Sequence, residues 1–201
     1  IITFNEEKKL GRCLKSLEEI ADEILIVDSF STDKTKEIAE SYNARFIQHA
    51  FTGYIEQKNV ALSLANYNLV LSLDADEALS SDLLKSIKEI KDNPTFDGYS
   101  MNRLTNYAGK WVRHCGWYPD IKVRLFDKTK GAWGGLNPHD FVKINSPVKH
   151  LKGDILHYSY DSVSDHINQT NRFTTIAAKA AFESGKRSNN FLIVTRPFFQ
   201  F

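Results

Sequence analysis

The sequence predicts an α/β fold, a mostly parallel sheet flanked by helices with a smaller mixed region after residue 95. Two observations lead to this fold class. Up to residue 95, short apolar segments alternate with segments whose apolar residues recur every three or four positions, which is typical of parallel strands joined by helices. After residue 95, alternating strands, turns rich in glycine and proline, and clustered aromatic residues replace that pattern. No linker separates the two parts, so we expect a single domain over 1–201 with halves 1–95 and 96–201.

The first half is predicted to contain four strands, each followed by a helix. Asn5 can cap the first helix and Ser31 or Thr32 the second, because side-chain oxygens there accept hydrogen bonds from the free amides of a helix N-terminus. Ser80 precedes another amphipathic helix in the same way. The predicted strands are 1–4, 23–28, 44–49 and 69–76, and the predicted helices include 57–64 and 80–93. In the second half we expect a strand at 120–128 and a final helix at about 162–184.

Carboxylates cluster where the fourth strand ends. An apolar run over 69–73 leads into Asp74, Asp76 and Glu77, and Asp28 ends the second strand. Ligands of open α/β sheets bind outside the carboxyl ends of the strands. Two like charges about 4 Å apart repel by about 4 kcal/mol at an effective dielectric near 20, so such a cluster needs a cation, a proton or strong donors. Oxygen ligands favour Mg²⁺ or Mn²⁺, which take further ligands from phosphates.

A simpler interpretation of the same residues is a solvated turn that caps the helix after Ser80. The sequence contains neither GxGxxG nor GxxxxGK[ST], the glycine-rich loops that hold phosphates at a helix N-terminus. A bound nucleotide would therefore have its phosphates held through a metal.

Composition restricts the partners. The chain has 26 Lys and Arg against 25 Asp and Glu, so no basic field favours nucleic acid. The two cysteines lie far apart, which fits a reducing, cytoplasmic setting. The sequence indicates that both ends are truncated, since the chain begins inside a predicted strand and ends in the apolar, aromatic stretch 191–201. That stretch either packs on the core or lies on the inner face of the cytoplasmic membrane, with Arg187 and Arg196 near anionic headgroups.

Four segments in order resemble the inverting family 2 glycosyltransferases with the GT-A fold: ITFNEEKKLGRCLKSL, ILIVDSFSTDKTKEIAE, EQKNVALSLA and LVLSLDADE. GKWVRHCGWYPDIKVRLF and GGLNPHD are similar, more narrowly, to bacterial lipopolysaccharide-core glycosyltransferases of that family. The resemblance implies transfer of a hexose from a nucleotide-sugar, with a UDP-sugar favoured, to a lipopolysaccharide-core, lipid-linked or other cell-envelope glycan acceptor. It also implies a metal-assisted single displacement.

The resemblance assigns donor roles residue by residue. Asp28 matches the acid that reads the uracil edge, and Asp74 and Asp76 match the DxD pair, with Asp76 as the direct metal ligand and His157 completing the metal site. The remaining nucleotide-binding residues are Thr3, Asn5, Glu6, Ser29, Gln57 and Lys58. Structural alternatives stay open: Asn5 as a helix cap, Asp28 at a helix start, Gln57 on a solvated helix face and His157 as a structural histidine.

An inverting transfer needs one general base. Asp140 is the candidate, because His139-Asp140 stands where the resembled family usually has His-Glu. Asp120 is the rival, either as base or as a holder of the acceptor hydroxyl, and its structural alternative is a turn after Pro119. Trp117, Asp120 and Arg124 are the predicted acceptor-binding residues. Aromatic rings could form an apolar platform for a sugar, although core packing explains each ring equally well; they are Trp111, Trp117, Tyr118 and Trp133.

Two other functions remain open from the sequence. The first is a nucleotide-sugar or glycan binding module that has lost turnover, which the shorter Asp140 makes conceivable. The second is a sugar nucleotidyltransferase, which also uses metal and carboxylates on an α/β sheet. The absence of a loop rich in glycine and lysine near residues 3–15 counts against the second.

Overall fold

A computed structural model describes residues 1–137, 139–189, 191 and 193–195. Up to residue 71 the first half alternates short strands and helices as predicted, and a further short strand at 77–79, which was not predicted, precedes the last helix of that half. Its elements are β1 (Ile2–Thr3), α1 (Leu10–Lys15), β2 (Leu25–Asp28), α2 (Thr35–Ser41), β3 (Arg45–Gln48), α3 (Tyr54–Leu64), β4 (Leu69–Leu71), β5 (Glu77–Leu79) and α4 (Ser81–Lys91). The second half is mainly β: β6 (Gly98–Tyr107), β7 (Lys110–Val112), β8 (Ile121–Asp127), β9 (Gly131–Leu136), β10 (His139–Ile144), β11 (Val148–Tyr160) and then α5 (Val163–Glu183).

The first three strands form a parallel sheet in the order β1-β2-β3. Thr3 pairs with Asp28, and Asp28 pairs with Gln48, so the carboxyl ends of all three strands lie at one edge. Helix α1 buries Leu10 and Leu14 against Ile26 of this sheet. The predicted α/β alternation of the first half is confirmed.

The second sheet is mixed, in the order β4-β8-β6-β11-β5, with β7 beside β6. The prediction of 69–76 as a parallel strand is wrong: β4 ends at Leu71 and runs antiparallel to β8. Only an isolated parallel bridge between Ile2 and Asp74 joins this segment to the first sheet. The apolar pattern marks a strand, but the direction of its partner depends on β8, about fifty residues later.

A two-stranded antiparallel ribbon, β9-β10, packs on α3. The Asn59 amide donates to the Trp133 carbonyl and accepts from the Trp133 N–H, both at 3.0 Å. The Asn137 Oδ1 atom accepts from the Tyr54 and Ile55 amides at 3.1 and 3.2 Å, so the ribbon caps α3. Helix and ribbon are therefore fixed to each other.

The helix caps agree with the sequence only in part. Ser80 caps α4 through its hydroxyl, as predicted, and Ser162 caps α5 in the same way, which was not predicted. Asn5 does not cap α1, since its Oδ1 atom accepts from the Thr32 amide at 2.9 Å instead. Neither Ser31 nor Thr32 caps α2, because Ser31 donates to Asp28 and α2 begins only after Lys34. The loop after β1 and the loop after β2 are therefore hydrogen-bonded to each other across the sheet edge.

In the described ranges, no helix is long and apolar enough to cross a membrane. Residues 192 and 196–201, including Arg196 of the predicted interfacial stretch, lie outside the described residues. Phe191, Ile193 and Val194 are exposed.

Candidate functional site

The candidate site lies where the carboxyl ends of β1 and β2 meet the turn after β4. Asp28 is fully buried there. Its carboxylate accepts from the Thr3 hydroxyl at 2.7 Å, from the Ser31 amide at 2.7 Å and from the Ser31 hydroxyl. These bonds fix the orientation of Asp28 and hold the 29–32 loop against the first strand.

Gln57 is also buried, so the alternative of a solvated helix face is wrong for this residue. Its side-chain amide donates to the Ser29 hydroxyl at 3.1 Å and to the His49 carbonyl at 3.2 Å, while Oε1 lies 2.8 Å from His49 Nδ1. Gln57 therefore connects α3 to the loops after β2 and β3.

Asp74 forms two ion pairs. Its carboxylate lies 3.0 Å from Lys58 Nζ and 3.1 Å from an Arg124 terminal nitrogen. Burial by itself raises the pKa of Asp74, but the two cations outweigh that effect and hold the pKa well below its usual range. Asp74 is thus a fixed negative charge at the end of the fourth apolar segment.

Buried Glu77 contacts both Asp74 and Arg124. It is 1% exposed, and its carboxylate accepts from the Asp74 amide at 2.9 Å and from Arg124 at 3.2 Å. Arg103 lies 3.7 Å away. Glu77 is a buried partner of these cations, so the simpler interpretation of the acids as a solvated turn is wrong for this residue. The side-chain cap of α4 comes from Ser80.

Arg124 does not face open solvent. Its side chain is 5% exposed, and the guanidinium lies between Asp74 and Glu77, with the Trp133 ring 5.3 Å away. Burial lowers the pKa of Arg124, but the two carboxylates raise it above its usual value overall. The described contacts make Arg124 a support of Asp74, and direct binding of an acceptor stays an untested prediction.

Asp140 projects from β10 toward the same cluster. Its carboxylate lies 2.7 Å from Lys58 Nζ, and its side chain is 15% exposed. The Lys58 ammonium therefore bridges Asp74 and Asp140, and it lies 4.3 Å from the centre of the Trp133 ring. The structure thus brings the candidate base close to the first acid of the DxD pair.

Asp76 and His157 approach each other beside this cluster. His157 Nε2 lies 3.4 Å from the Asp76 carboxylate, and Nδ1 lies 3.4 Å from the Thr105 hydroxyl. Burial first, and then the nearby Asp76 charge, raise the pKa of Glu6 to about 7.

Within the described ranges, no group of three or more carboxylate, histidine or cysteine side chains is arranged to hold a metal. Asp76 and His157 could nevertheless supply two ligands, because Mg²⁺ and Mn²⁺ commonly take the rest from water and phosphate oxygens. The donor set fits such an ion as a partial site.

Asp120 is held differently from Asp140. Two nitrogens of the Arg103 guanidinium lie 2.9 and 2.8 Å from its carboxylate, and Lys122 lies 2.9 Å away. Burial raises the pKa of Asp120, but Lys122 and Arg103 lower it overall. A carboxylate with a lowered pKa is a weaker base, so these contacts count against Asp120 as the general base.

The predicted aromatic platform does not form as a single surface. Trp133 is buried beside Lys58. Trp117 packs edge-to-face on Tyr107 at 6.0 Å, while Trp111 packs on Tyr158 at 5.3 Å. Half-buried Trp117 remains the candidate for acceptor contact.

Sequence reasoning missed two residues that organise the site. Arg103 connects Glu77 to Asp120, and Asn137 anchors the ribbon that carries Asp140. Arg103 had a detectable signal, a cation within a mostly buried strand. Asn137 had none, because the amides that it caps are remote in sequence.

The profile described as "Glycosyl transferase family 2" matches residues 1–149. A glycosyltransferase of Rickettsia typhi is 32% identical over 207 residues, covering 97% of this chain and 71% of the relative. The lipopolysaccharide core biosynthesis glycosyltransferase LpsC of Rhizobium meliloti is 31% identical over 210 residues, covering 98% of this chain and 76% of LpsC.

Among solved structures, that of S. aureus TarS aligns with a TM-score of 0.53 at 19% identity, covering 87% of this chain and 38% of TarS. That likeness concerns the fold alone, and with the family match it confirms the α/β, GT-A expectation. The chain belongs to glycosyl transferase family 2.

Proposed function

We propose that this protein is an inverting hexosyltransferase that uses a nucleotide-sugar donor and a lipopolysaccharide-core or related cell-envelope glycan acceptor. Membership of glycosyl transferase family 2 supports the reaction class. The name of LpsC, a lipopolysaccharide core biosynthesis enzyme, supports the acceptor class. A UDP-sugar is the favoured donor because the loop around Asp28 resembles the part of the family that reads uracil.

The donor would bind along the edge formed by β1, β2 and the turn after β4. Thr3 and Gln57 orient Asp28 and Ser29 from inside the protein. Asn5 and Glu6 line the facing loop, and the Asn5 backbone amide donates to Ser31 at 2.8 Å. These contacts support a preformed pocket for the nucleoside, with the diphosphate directed toward Asp74 and Asp76.

Mg²⁺ or Mn²⁺ is the proposed cofactor, held by Asp76 and His157. Such an ion would neutralise charge that develops on the departing diphosphate. Lys9, whose ammonium lies 3.8 Å from Asp76, adds a second positive charge on the same side. Both features stabilise a leaving group that gains negative charge.

Asp140 is the proposed general base, and its closeness to Asp74 through Lys58 is the observation that carries the proposal. The Asp140 carboxylate takes the proton of an acceptor hydroxyl while that oxygen forms a bond to the anomeric carbon. The bond from the anomeric carbon to the diphosphate oxygen breaks, and the nucleoside diphosphate keeps the electron pair. One displacement inverts the anomeric configuration. Trp117 and Asp120 are proposed to contact the acceptor.

Peripheral contact with the inner face of the cytoplasmic membrane completes the proposal. Phe182 is 65% exposed, and the Arg187 guanidinium lies 4.4 Å from its ring centre. Apolar side chains beside cations suit the interface of an anionic bilayer. Co-flotation with phosphatidylglycerol vesicles, but not with phosphatidylcholine vesicles, is the expected result.

A transfer assay tests the reaction. Purified protein with Mn²⁺ is incubated with lipopolysaccharide-core acceptor and, separately, with UDP-, GDP- and CMP-sugars, and the product linkage is read by NMR. We expect transfer from one donor with inversion, and loss of transfer in Asp140→Asn by about 100-fold or more. Asp120→Asn is the matched comparison and should lose less. Donor binding without transfer or hydrolysis in wild type would favour the binding-module alternative.

A further inference from the structure

The buried Lys58 ammonium contacts two carboxylates, Asp74 and Asp140, to which the resemblance assigns different roles. Lys58 Nζ lies 2.7 Å from Asp140 Oδ2 and 3.0 Å from Asp74 Oδ1. The Lys58 side chain is 6% exposed, whereas Asp140 is 15% and Asp74 30% exposed. A ligand that arrives from solvent therefore meets the two carboxylates before it meets the cation.

The surroundings of Lys58 hold the ammonium in place. The Trp133 ring lies 4.3 Å from Nζ, a cation–π distance. The next residue, Asn59, pairs with the Trp133 backbone, and Asn137 caps the first turn of the same helix. Lys58 on α3 and Asp140 on β10 therefore belong to elements that are fixed to each other.

The two carboxylates would repel each other without this shared cation. Asp140 has one described side-chain hydrogen bond, the one from Lys58. Asp74 keeps Arg124 as a second cation when Lys58 is removed, whereas Asp140 keeps no described ion pair. The orientation of Asp140 thus depends on Lys58 more strongly than that of Asp74 does.

We propose that Lys58 is a positioning residue: it orients the Asp140 carboxylate toward the acceptor hydroxyl, with Asp74 as its second anchor, and does not contact the nucleotide. This inference rests on the proposed transferase function. It replaces the role that the resemblance implied for Lys58, which was nucleotide binding.

Three variants distinguish positioning of Asp140 from contact with the nucleotide: Lys58→Met, Asp140→Asn and the double variant. The transfer assay gives kcat, and calorimetry in Mn²⁺ gives the UDP affinity. A displaced catalytic group costs about 100-fold in rate, so Lys58→Met should lower kcat by about that factor. Its UDP affinity should stay within about threefold of wild type, since a lost charged contact costs more than that. In the Asp140→Asn background, Lys58→Met should change kcat little, because the residue through which it acts has already been removed.

Lys58→Arg is the second variant, because it keeps the cation and should fold even where Lys58→Met does not. We expect it to keep UDP affinity and to recover part of kcat. Loss of UDP affinity in either variant would make Lys58 a nucleotide contact and overturn the inference. Equal losses of kcat in both backgrounds, or wild-type kcat in Lys58→Met, would overturn it as well.

Wild-type turnover is measured first, so that the two proposals fail in different ways. A wild type that neither transfers nor hydrolyses any nucleotide-sugar overturns the proposed function and this inference with it. An active wild type together with an equally active Lys58→Met overturns only the role of Lys58.

Discussion

Replacing Arg124 by Met removes the cation that lies between Asp74 and Glu77. Glu77 is 1% exposed, and after the change its nearest described cation is Arg103 at 3.7 Å, compared with 3.2 Å for Arg124. Removing one partner of a buried ion pair typically costs about 3–5 kcal/mol, because the other charge stays buried without compensation. Arg103 compensates in part, so we expect about 3 kcal/mol of lost unfolding free energy, the lower end of that range.

Urea denaturation measures this loss, with the slope m compared between variants to confirm that the same surface unfolds. Lys91→Met is the matched control, since Lys91 pairs with Asp22 at 2.8 Å on the surface and should cost less than about 1 kcal/mol. Adding Glu77→Gln to Arg124→Met should recover part of the stability, because it removes the uncompensated charge. An Arg124→Met protein no less stable than Lys91→Met would refute the account of the buried network.

Two further predictions concern the pH dependence and the anchoring of the site. The pKa of Glu6 is raised from 4.5 to about 7, so the folded state holds this proton more tightly than the unfolded state does. The free energy of unfolding therefore falls as pH rises from 4.5 through 7, because the ionised carboxylate destabilises the fold. Glu6→Gln should therefore be more stable than wild type at pH 8 and equal to it near pH 4, and an equal difference at both pH values would contradict this cause. Asn59→Ala removes both bonds to the buried Trp133 backbone and should cost about 1–3 kcal/mol, measured by urea denaturation. Ser63→Ala, on the exposed side of the same helix, is its control and should change stability by less than about 0.5 kcal/mol.

The strands and helices of the first half were predictable because their apolar periodicity is local. The segment after Leu69 shows where this information stops: its apolar residues predict a strand, but its pairing with β8 is set by residues far along the chain. Asn5 shows the same limit for caps. The Asn5 Oδ1 atom has two available donors, an amide at the start of α1 and the Thr32 amide. It accepts from Thr32, so the tertiary loop contact prevails.

The candidate site was predictable as a set of residues but not as a set of contacts. Asp74 and Asp140 could be named from motif and resemblance, and both lie in the site. Their connection through Lys58 could not be predicted, because it requires the β9-β10 ribbon to dock on α3. The burial of Arg124 was also hidden, since the alternation in β8 does not show that both faces of that strand are covered near position 124.

A calorimetric titration with UDP, GDP and CMP tests the central claim, a metal-dependent nucleotide site at Asp76, most directly. Each nucleotide is titrated with Mn²⁺ and then with EDTA, into wild type and into Asp76→Ala. We predict that one nucleotide, UDP, binds wild type in Mn²⁺ and that this binding is lost in EDTA and in Asp76→Ala. Binding of none of the three nucleotides, or UDP binding that is the same with EDTA and in Asp76→Ala, would contradict the account.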